Sequence, residues 1–185
     1  MIGKKNVVFG FLYLVFTAAL GPYMVVNLMP GVDEARGEKQ AAVGRLQQLK
    51  LNGYEEELEP LSADQLARAN TEGLLALNNL MNARQPVDAI KGGAHAHGNL
   101  EALLNIAAGV ALCFVAVAKW FKQAISWIFI LGAVFHSGAL YLLSFGMGWA
   151  GMMLQVGPWL VLIGLLLMGV AALIGFSPQV VRDSS

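Results

Sequence analysis

The sequence predicts an all-α integral membrane protein: a four-transmembrane-helix bundle with two amphipathic helices in the long outer loop between spans one and two. Composition is the first observation behind this prediction, since 57% of the 185 residues are hydrophobic and 13% are charged. A soluble domain is about 45–50% apolar and about 25% charged. The second observation is that the apolar residues form long runs, and a helix of about 20 such residues crosses the ~30 Å hydrocarbon layer.

Four apolar runs are long enough to be spans, and they lie at residues 7–29, 100–118, 124–146 and 152–176. Lys4 and Lys5 precede the first run, as in a signal peptide, but its length favours a membrane anchor that stays in place. The chain is accordingly divided into a first span (1–30), an extracytoplasmic helical segment (31–93), a second span (94–118), a third span (119–146), and a fourth span with a cytoplasmic tail (147–185).

The positive charges that flank the spans predict the orientation. Lys and Arg are enriched in the short loops and flanks on the cytoplasmic side. A cytoplasmic amino terminus places five of them on that side: Lys4, Lys5, Lys119, Lys122 and Arg182. The short loop between the third and fourth spans carries no charge. The sequence therefore predicts a multi-pass protein of the bacterial inner membrane with both termini in the cytoplasm.

The polar segment between the first two spans predicts two amphipathic helices. The first covers about residues 33–51 and stops at Asn52 and Gly53. The second begins at Ser62, which forms a capping-box pattern with Gln65, and we expect Pro86 to end it. A loop of this length is usually functional, as a lid or a docking surface. The alternative is two short helices that lie on the membrane face.

Net charge and cysteine content exclude two classes of function. The formal net charge is zero and the cations do not cluster, which argues against nucleic-acid binding. The single cysteine, Cys113, lies in an apolar run, which excludes a disulfide framework and a cysteine metal site.

Polar residues in the second predicted span are the first candidates for a functional site. His97, Glu101 and Asn105 are spaced at i, i+4 and i+8, so they form one stripe on a helix. His95 and Asn99 form a second pair on roughly the opposite side. Because polar side chains are costly against lipid, these stripes should face another helix, a subunit or a cofactor.

The third predicted span carries a second polar stripe, formed by Ser137, Tyr141 and Ser144, and a histidine, His136. At 1.5 Å per residue, His136 lies about 18 Å from the start of its helix, near the bilayer middle. His97 is expected at the outer edge, well above it. These depths favour a single axial ligand over two histidines on one iron.

Histidines at these positions suit a haem or metal site. Neutral imidazole ligates zinc, copper or haem iron, and it also shuttles protons. Zinc or a di-metal centre takes more histidine and carboxylate ligands than this, whereas haem needs one or two protein ligands. The candidate cofactor-binding residues for haem b are His97, His95, His136 and Glu101. The alternative is that these side chains only hydrogen-bond between helices.

Three stretches resemble the styrene oxide isomerase family, small bacterial membrane enzymes with four spans. The opening of the second span, residues 94–98 (AHAHG) followed by Asn105, is similar to the histidine-containing opening of that span in the family. Residues 138–144 (GALYLLS) resemble its Gly-x-Tyr-Leu-x-Ser stretch in span three. Residues 168–176 (MGVAALIGF) resemble the end of its fourth span.

The resemblance implies a homo-oligomer, a trimer in that family, that holds haem b near its subunit interfaces through one histidine. Ferric iron there is a Lewis acid for an epoxide oxygen, and the ring opens with a hydride shift to give an aldehyde. By position, His97 is the implied axial ligand, with His95 as the alternative. Tyr141 is the implied positioning phenol, and Asn105, or else Asn99, the positioning amide. The implied partners are a small apolar substrate or gas and the lipid bilayer.

Two other functions stay open on the sequence. The His-x-His-x-Asn pattern at a helix start also resembles membrane proteins of the haem-copper oxidase type. It therefore suggests a haem b redox or gas-sensing subunit of a larger complex, docked through the outer segment. The other function is that of an accessory membrane protein without a cofactor.

The chain differs from the isomerase motif by its second histidine, its long outer segment and His136.

Overall fold

Three helical stretches of the computed structural model are long and apolar enough to cross a membrane: Lys4–Leu51, Lys119–Ser144 and Gly148–Gly175. The structure describes residues 1–56 and 58–181. Arg182, which the orientation argument used, lies outside the described residues. The prediction of an all-helical chain with several membrane-type helices is confirmed.

The chain divides into two compact units. One comprises Met1–Pro22 and Ala89–Ser185, and the other Tyr23–Asp88. The described residues form seven α-helices: α1 (Lys4–Tyr23), α2 (Met29–Leu51), α3 (Ala63–Ala89), α4 (Ala96–Ala111), α5 (Lys119–Ala133), α6 (Ala139–Ser144) and α7 (Gly157–Gly175). Three π-helical turns, Met24–Leu28, Ile90–His95 and Val134–Gly138, and one 3₁₀ helix, Gly148–Gln155, adjoin them. Two short strands, β1 (Glu55–Glu56) and β2 (Glu59–Pro60), pair antiparallel.

The second predicted span, 100–118, is wrong in its bounds. Helix α4 ends at Ala111, and an extended segment follows it. This segment pairs with the chain after α7: Ala116 N donates to Gly175 O (2.6 Å) and Ser177 N donates to Phe114 O (2.7 Å). The polar residues of α4 also lower its hydropathy, because each replaces an apolar side chain in a short helix. For both reasons α4 is not among the three membrane-length helices.

The other predicted spans differ from the helices in detail. Helix α1 begins at Lys4 and ends at Tyr23, one residue after Pro22, whose ring removes a helix hydrogen bond. The helical stretch Lys119–Ser144 begins five residues before the predicted third span at residue 124, and Lys122 within it is buried. The fourth predicted span begins with the 3₁₀ helix, and α7 ends at Gly175.

Glycines set the packing of the first unit. Gly10 of α1 lies against α4, where an added Cβ would be 2.7 Å from the Ala102 carbonyl oxygen. Gly98 of α4 lies directly against the Thr17 side chain. Close approach of small residues is the usual way that helices associate in a membrane. These contacts bring polar side chains of α1 and α4 within hydrogen-bond distance.

An apolar core holds α4, α5 and α7 together. It is formed by buried residues from the three helices and the segment after α4: Ala108, Leu112, Val115, Ile125, Phe129 and Ala171. Large apolar side chains on the outside of the helices are exposed, including Phe16 (63%) and Leu173 (88%). Exposed apolar surface of this kind suits contact with lipid.

The second unit contains α2, the β1–β2 hairpin and α3. Helix α2 ends before Gly53, which adopts a positive φ of 67°. The capping box forms: Ser62 N donates to Gln65 Oε1 (2.9 Å), and Gln65 N donates to Ser62 Oγ (3.3 Å).

The prediction that Pro86 ends the following helix is wrong, since α3 continues through it to Ala89. Arg45 pairs with Glu72 of α3 (3.5 Å).

Candidate metal centre

His97, Glu101 and His136 converge on one site within the first unit. Each offers one ligand atom, and these atoms lie within 4.8 Å of one another. The ring centroids of His97 and His136 are 4.7 Å apart. The expectation that the two histidines lie at different depths is therefore wrong. That expectation put His97 outside a span that started at residue 100, whereas the helix already runs through His97, and its ring contacts the ring of His136.

Glu101 is the centre of the site and is buried, with 3% of its surface exposed. His136 Nδ1 lies 2.5 Å from Oε1. Ser137 donates to Oε2 twice, from its backbone N (3.3 Å) and from Oγ (2.5 Å). A buried carboxylate is tolerated only where donors surround it in this way. With the carboxylate ionised, Nδ1 of His136 carries the proton and Nε2 is the free lone pair.

Helix α1 adds a second layer to this cluster. The hydroxyl of Tyr13 donates to the Ala133 carbonyl (3.2 Å) and lies 2.9 Å from Ser137 Oγ. The hydrogen-bonded chain therefore runs from Tyr13 through Ser137 to Glu101 and His136. No polar role was expected for the first predicted span. The sequence pattern that indicates such a role is the spacing of Asn6, Tyr13 and Thr17, which share one helix face.

His97 differs from its neighbours in having open ring nitrogens. Its ring contacts His136, but within the described residues neither of its nitrogens has a hydrogen-bond partner. It is not buried, so a ligand can reach this imidazole from outside the unit.

His95 and Asn99 lie together, as their spacing predicts, but they face α1. Nδ1 of His95 lies 2.9 Å from the Thr17 carbonyl oxygen, and Nε2 lies 3.5 Å from Asn99 Nδ2. Thr17 Oγ1 donates to Asn99 Oδ1 (2.8 Å). Both ring nitrogens of His95 are thus engaged, which leaves His97 as the more accessible of the two candidate axial ligands.

Asn105, the first candidate for a positioning amide, is buried at 1% exposure. Its Oδ1 accepts from Asn6 Nδ2 (3.0 Å), and its Nδ2 donates to the carbonyls of Glu101 (3.0 Å) and Phe129 (3.2 Å). Asn6 also donates to the Ser126 carbonyl (3.0 Å) and accepts from Ser126 Oγ. This second cluster links α1, α4 and α5 at one level. It has the contacts of a structural hydrogen-bond network.

Tyr141, the predicted positioning phenol, lines an apolar groove of about 270 Å³. The other lining residues come from α1, from the helical stretch Lys119–Ser144 and from the 3₁₀ helix: Tyr13, Phe16, Val134, Gly138, Leu142 and Met153. The groove and the Glu101 cluster share Tyr13. Ser144, the last member of the predicted stripe, donates to its own helix at Leu140 O (2.9 Å) and lies outside the cluster.

The geometry limits how a haem can be held. Two imidazoles on opposite sides of one haem iron would bind end-on, with ligand nitrogens about 4 Å apart and ring centroids about 6 Å apart. The rings of His97 and His136 are closer than this, at 4.7 Å, and tilted by 51°, so they do not have the placement of two opposite ligands of one haem. The geometry allows a haem that His97 alone would ligate, with the macrocycle outside the unit. Three ligands on one non-haem ion also fit, because donors about 2.0–2.2 Å from a metal lie close together.

No protein-family model, curated protein or solved structure matches this chain. The resemblance to the styrene oxide isomerase family therefore depends on the stretches quoted above, and the chemistry of the site has to be argued from its geometry.

Proposed function

We propose that this chain is a membrane-embedded haem b protein in which His97 is the axial ligand. The observation that supports this most strongly is the His97 imidazole with open ring nitrogens, which lies beside a buried Glu101 that is hydrogen-bonded to His136 and Ser137. A ligating histidine needs a free lone pair and an approach path, and His97 has both. His95 and Asn105 are less suitable because their polar atoms are already bonded.

The proposed membrane arrangement is a four-span bundle in which α4 is the remaining span. Its polar residues Glu101 and Asn105 are buried, whereas Leu100 (55%) and Leu103 (53%) are exposed on the other side. A helix in lipid has this distribution when its polar side faces the bundle. The proposal includes α2 and α3 as outer helices of the 31–93 segment and both termini in the cytoplasm of a bacterial inner membrane.

The proposed activity is the conversion of an epoxide to an aldehyde. When bound, haem b supplies a ferric Lewis acid with one open coordination position. The groove beside Tyr141 would take a small apolar substrate, and the Tyr141 hydroxyl would orient its oxygen by a hydrogen bond. Because the open His97 imidazole lies at the surface of the unit, a second copy of the chain would cover the macrocycle, which favours the homo-oligomer that the resemblance implies.

An absorbance scan tests the haem. The full chain is expressed with ample haem, purified in mild detergent and compared with His97→Ala and His95→Ala. We expect a Soret band in the parent and in His95→Ala, and at least a tenfold lower haem content in His97→Ala. The assignment of His97 as the axial ligand would be contradicted if the parent had no Soret band. It would also be contradicted if His97→Ala kept the band and His95→Ala lost it.

Turnover separates the isomerase from other haem proteins. Haem-loaded protein is mixed with aryl epoxides, and the aldehyde that forms is measured. We expect Tyr141→Phe to lower kcat by about 10²-fold, since an oriented donor at a developing oxyanion typically contributes this much. If the loaded parent forms no aldehyde and its spectrum is six-coordinate and low-spin, the redox or gas-sensing function is favoured instead.

A second candidate follows from the three converging ligand atoms. Two histidines and one carboxylate are the ligand set of many mononuclear non-haem iron and zinc sites. This function predicts one iron or zinc per chain by elemental analysis, no Soret band, and loss of the metal in His97→Ala, Glu101→Ala and His136→Ala alike.

A further inference from the structure

A wide groove of about 860 Å³ lies where α1 and α5 begin, away from the histidine site. Polar residues form its rim: Lys4, Lys5, Lys119 and Gln123. Apolar residues form its walls: Val8, Phe9, Trp127 and Ile130. One end of the groove is thus cationic and the other apolar.

The rim carries positive charge that no carboxylate lining the groove offsets, in the part of the chain that the structure describes. Lys5 Nζ donates to Gln123 Oε1 (2.5 Å) and lies 4.2 Å from the centroid of the Trp127 ring. The Lys5 ammonium is therefore held at the border between rim and wall. A lysine over an aromatic face keeps its charge while its stem packs on apolar surface.

The walls remain open to a ligand. Trp127 is 52% exposed and Val8 is 48% exposed, although both are apolar and lie on helices long enough for a membrane. A ligand that matches the groove therefore needs an anionic group for the lysines and an apolar chain for the walls. In a bilayer, a phospholipid with an anionic head group has both.

We infer that this groove binds an anionic phospholipid, with its phosphate between Lys4, Lys5 and Lys119 and an acyl chain along Phe9 and Trp127. Basic pockets between transmembrane helices on the cytoplasmic side recognise such head groups. The site rests on the membrane arrangement proposed above and is independent of the haem. A soluble anion would not use the apolar walls, and a zwitterionic lipid would gain little from the lysines.

Native mass spectrometry of the full chain in detergent tests this site. The protein is titrated with phosphatidylglycerol and with phosphatidylcholine of the same acyl chains. The test variant is Lys4→Gln/Lys5→Gln/Lys119→Gln. The control variant, Lys39→Gln/Lys50→Gln/Arg84→Gln, removes the same charge from α2 and α3.

The parent and the control should prefer phosphatidylglycerol, and the test variant should lose that preference by roughly tenfold or more. The reason is that each lysine near a membrane surface contributes a factor of about five to binding of anionic lipid. Trp127→Ala should weaken both lipids alike, since it removes the wall and not the charge. The absorbance of the test variant should equal that of the parent.

Any of three outcomes would overturn the lipid site. The first is that the test variant keeps its preference for phosphatidylglycerol, and the second is that the control variant loses this preference to the same extent. The third is that excess inorganic phosphate displaces phosphatidylglycerol as readily as the lipid itself does. Failure of the haem proposal would show in the absorbance scan and leave the lipid titration unchanged, so the two results are distinguishable.

Discussion

Helix α4 carries two buried polar clusters one turn apart, around Glu101 and around Asn105, and they differ in one respect. Both side chains are buried, at 3% and 1% exposure, and both are bonded to neighbouring helices. Beside Glu101 lies His97, whose ring nitrogens have no partner among the described residues. Around Asn105 the amide and hydroxyl groups bond to one another and to carbonyls. A polar residue in a membrane helix is therefore a poor marker of function unless a group beside it keeps an open lone pair.

Glu101→Ala should have the largest effect, because it breaks the cluster that supports the open histidine. Removing the carboxylate leaves His136 Nδ1 and the Ser137 donors without their acceptor. A buried donor left without its acceptor costs about 1–3 kcal/mol of unfolding free energy, and this change leaves several such donors. Loss of a group that orients a ligand weakens metal binding by about 10–100-fold. Thermal unfolding in detergent and haem content measure the two effects.

Asn105→Ala should lower stability but leave the haem in place. The change leaves Asn6 and two backbone carbonyls without one partner each. An unsatisfied buried group costs about 1–3 kcal/mol. Thermal unfolding should therefore shift, while the haem content of folded protein stays at the parent value. Haem loss as large as in Glu101→Ala would mean that the two clusters are one functional unit.

Thr17→Val should have a smaller effect, and it sharpens the distinction between the two histidines. It removes the hydrogen bond to Asn99 with little change of shape. Hydrogen bonds between membrane helices are worth about 0.6 kcal/mol on average. The Soret band should be unchanged, because His95 is not the ligand in this account. A shifted Soret band would indicate that His95 contacts the iron.

Ser144→Ala should have the smallest effect. Its hydroxyl donates to a carbonyl of its own helix and lies outside both clusters. A substitution of this kind changes unfolding free energy by at most about 0.5 kcal/mol. The same thermal scan measures it beside Ser137→Ala, which removes a donor to Glu101 and should be clearly less stable. Equal stabilities would remove the special role of the Glu101 cluster.

The sequence predicted the polar face of α4 and the pair of His95 and Asn99, because helical spacing alone decides which residues share a face. It also predicted the capping box at Ser62, which depends on local contacts. It did not predict the end of α4, because that end depends on backbone pairing with a segment about 60 residues later in the chain.

The convergence of His97 with His136 escaped the sequence analysis for a related reason. Depth was counted from predicted span ends, and these were several residues from the helix ends. Polar side chains of α1 were missed because Asn6, Tyr13 and Thr17 are single polar residues within an otherwise apolar run. Their role follows from close packing against α4 at Gly10 and Gly98, which only the tertiary structure reveals.

The most direct test of the central claim is replacement of His97 with glycine and the addition of free imidazole. His97→Gly removes the open ring nitrogens but leaves the Glu101–His136 pair in place. If His97 is the axial ligand, the purified variant should lack the Soret band, and imidazole with haem should restore it by filling the vacated position. A Soret band that persists in His97→Gly without imidazole would contradict the account.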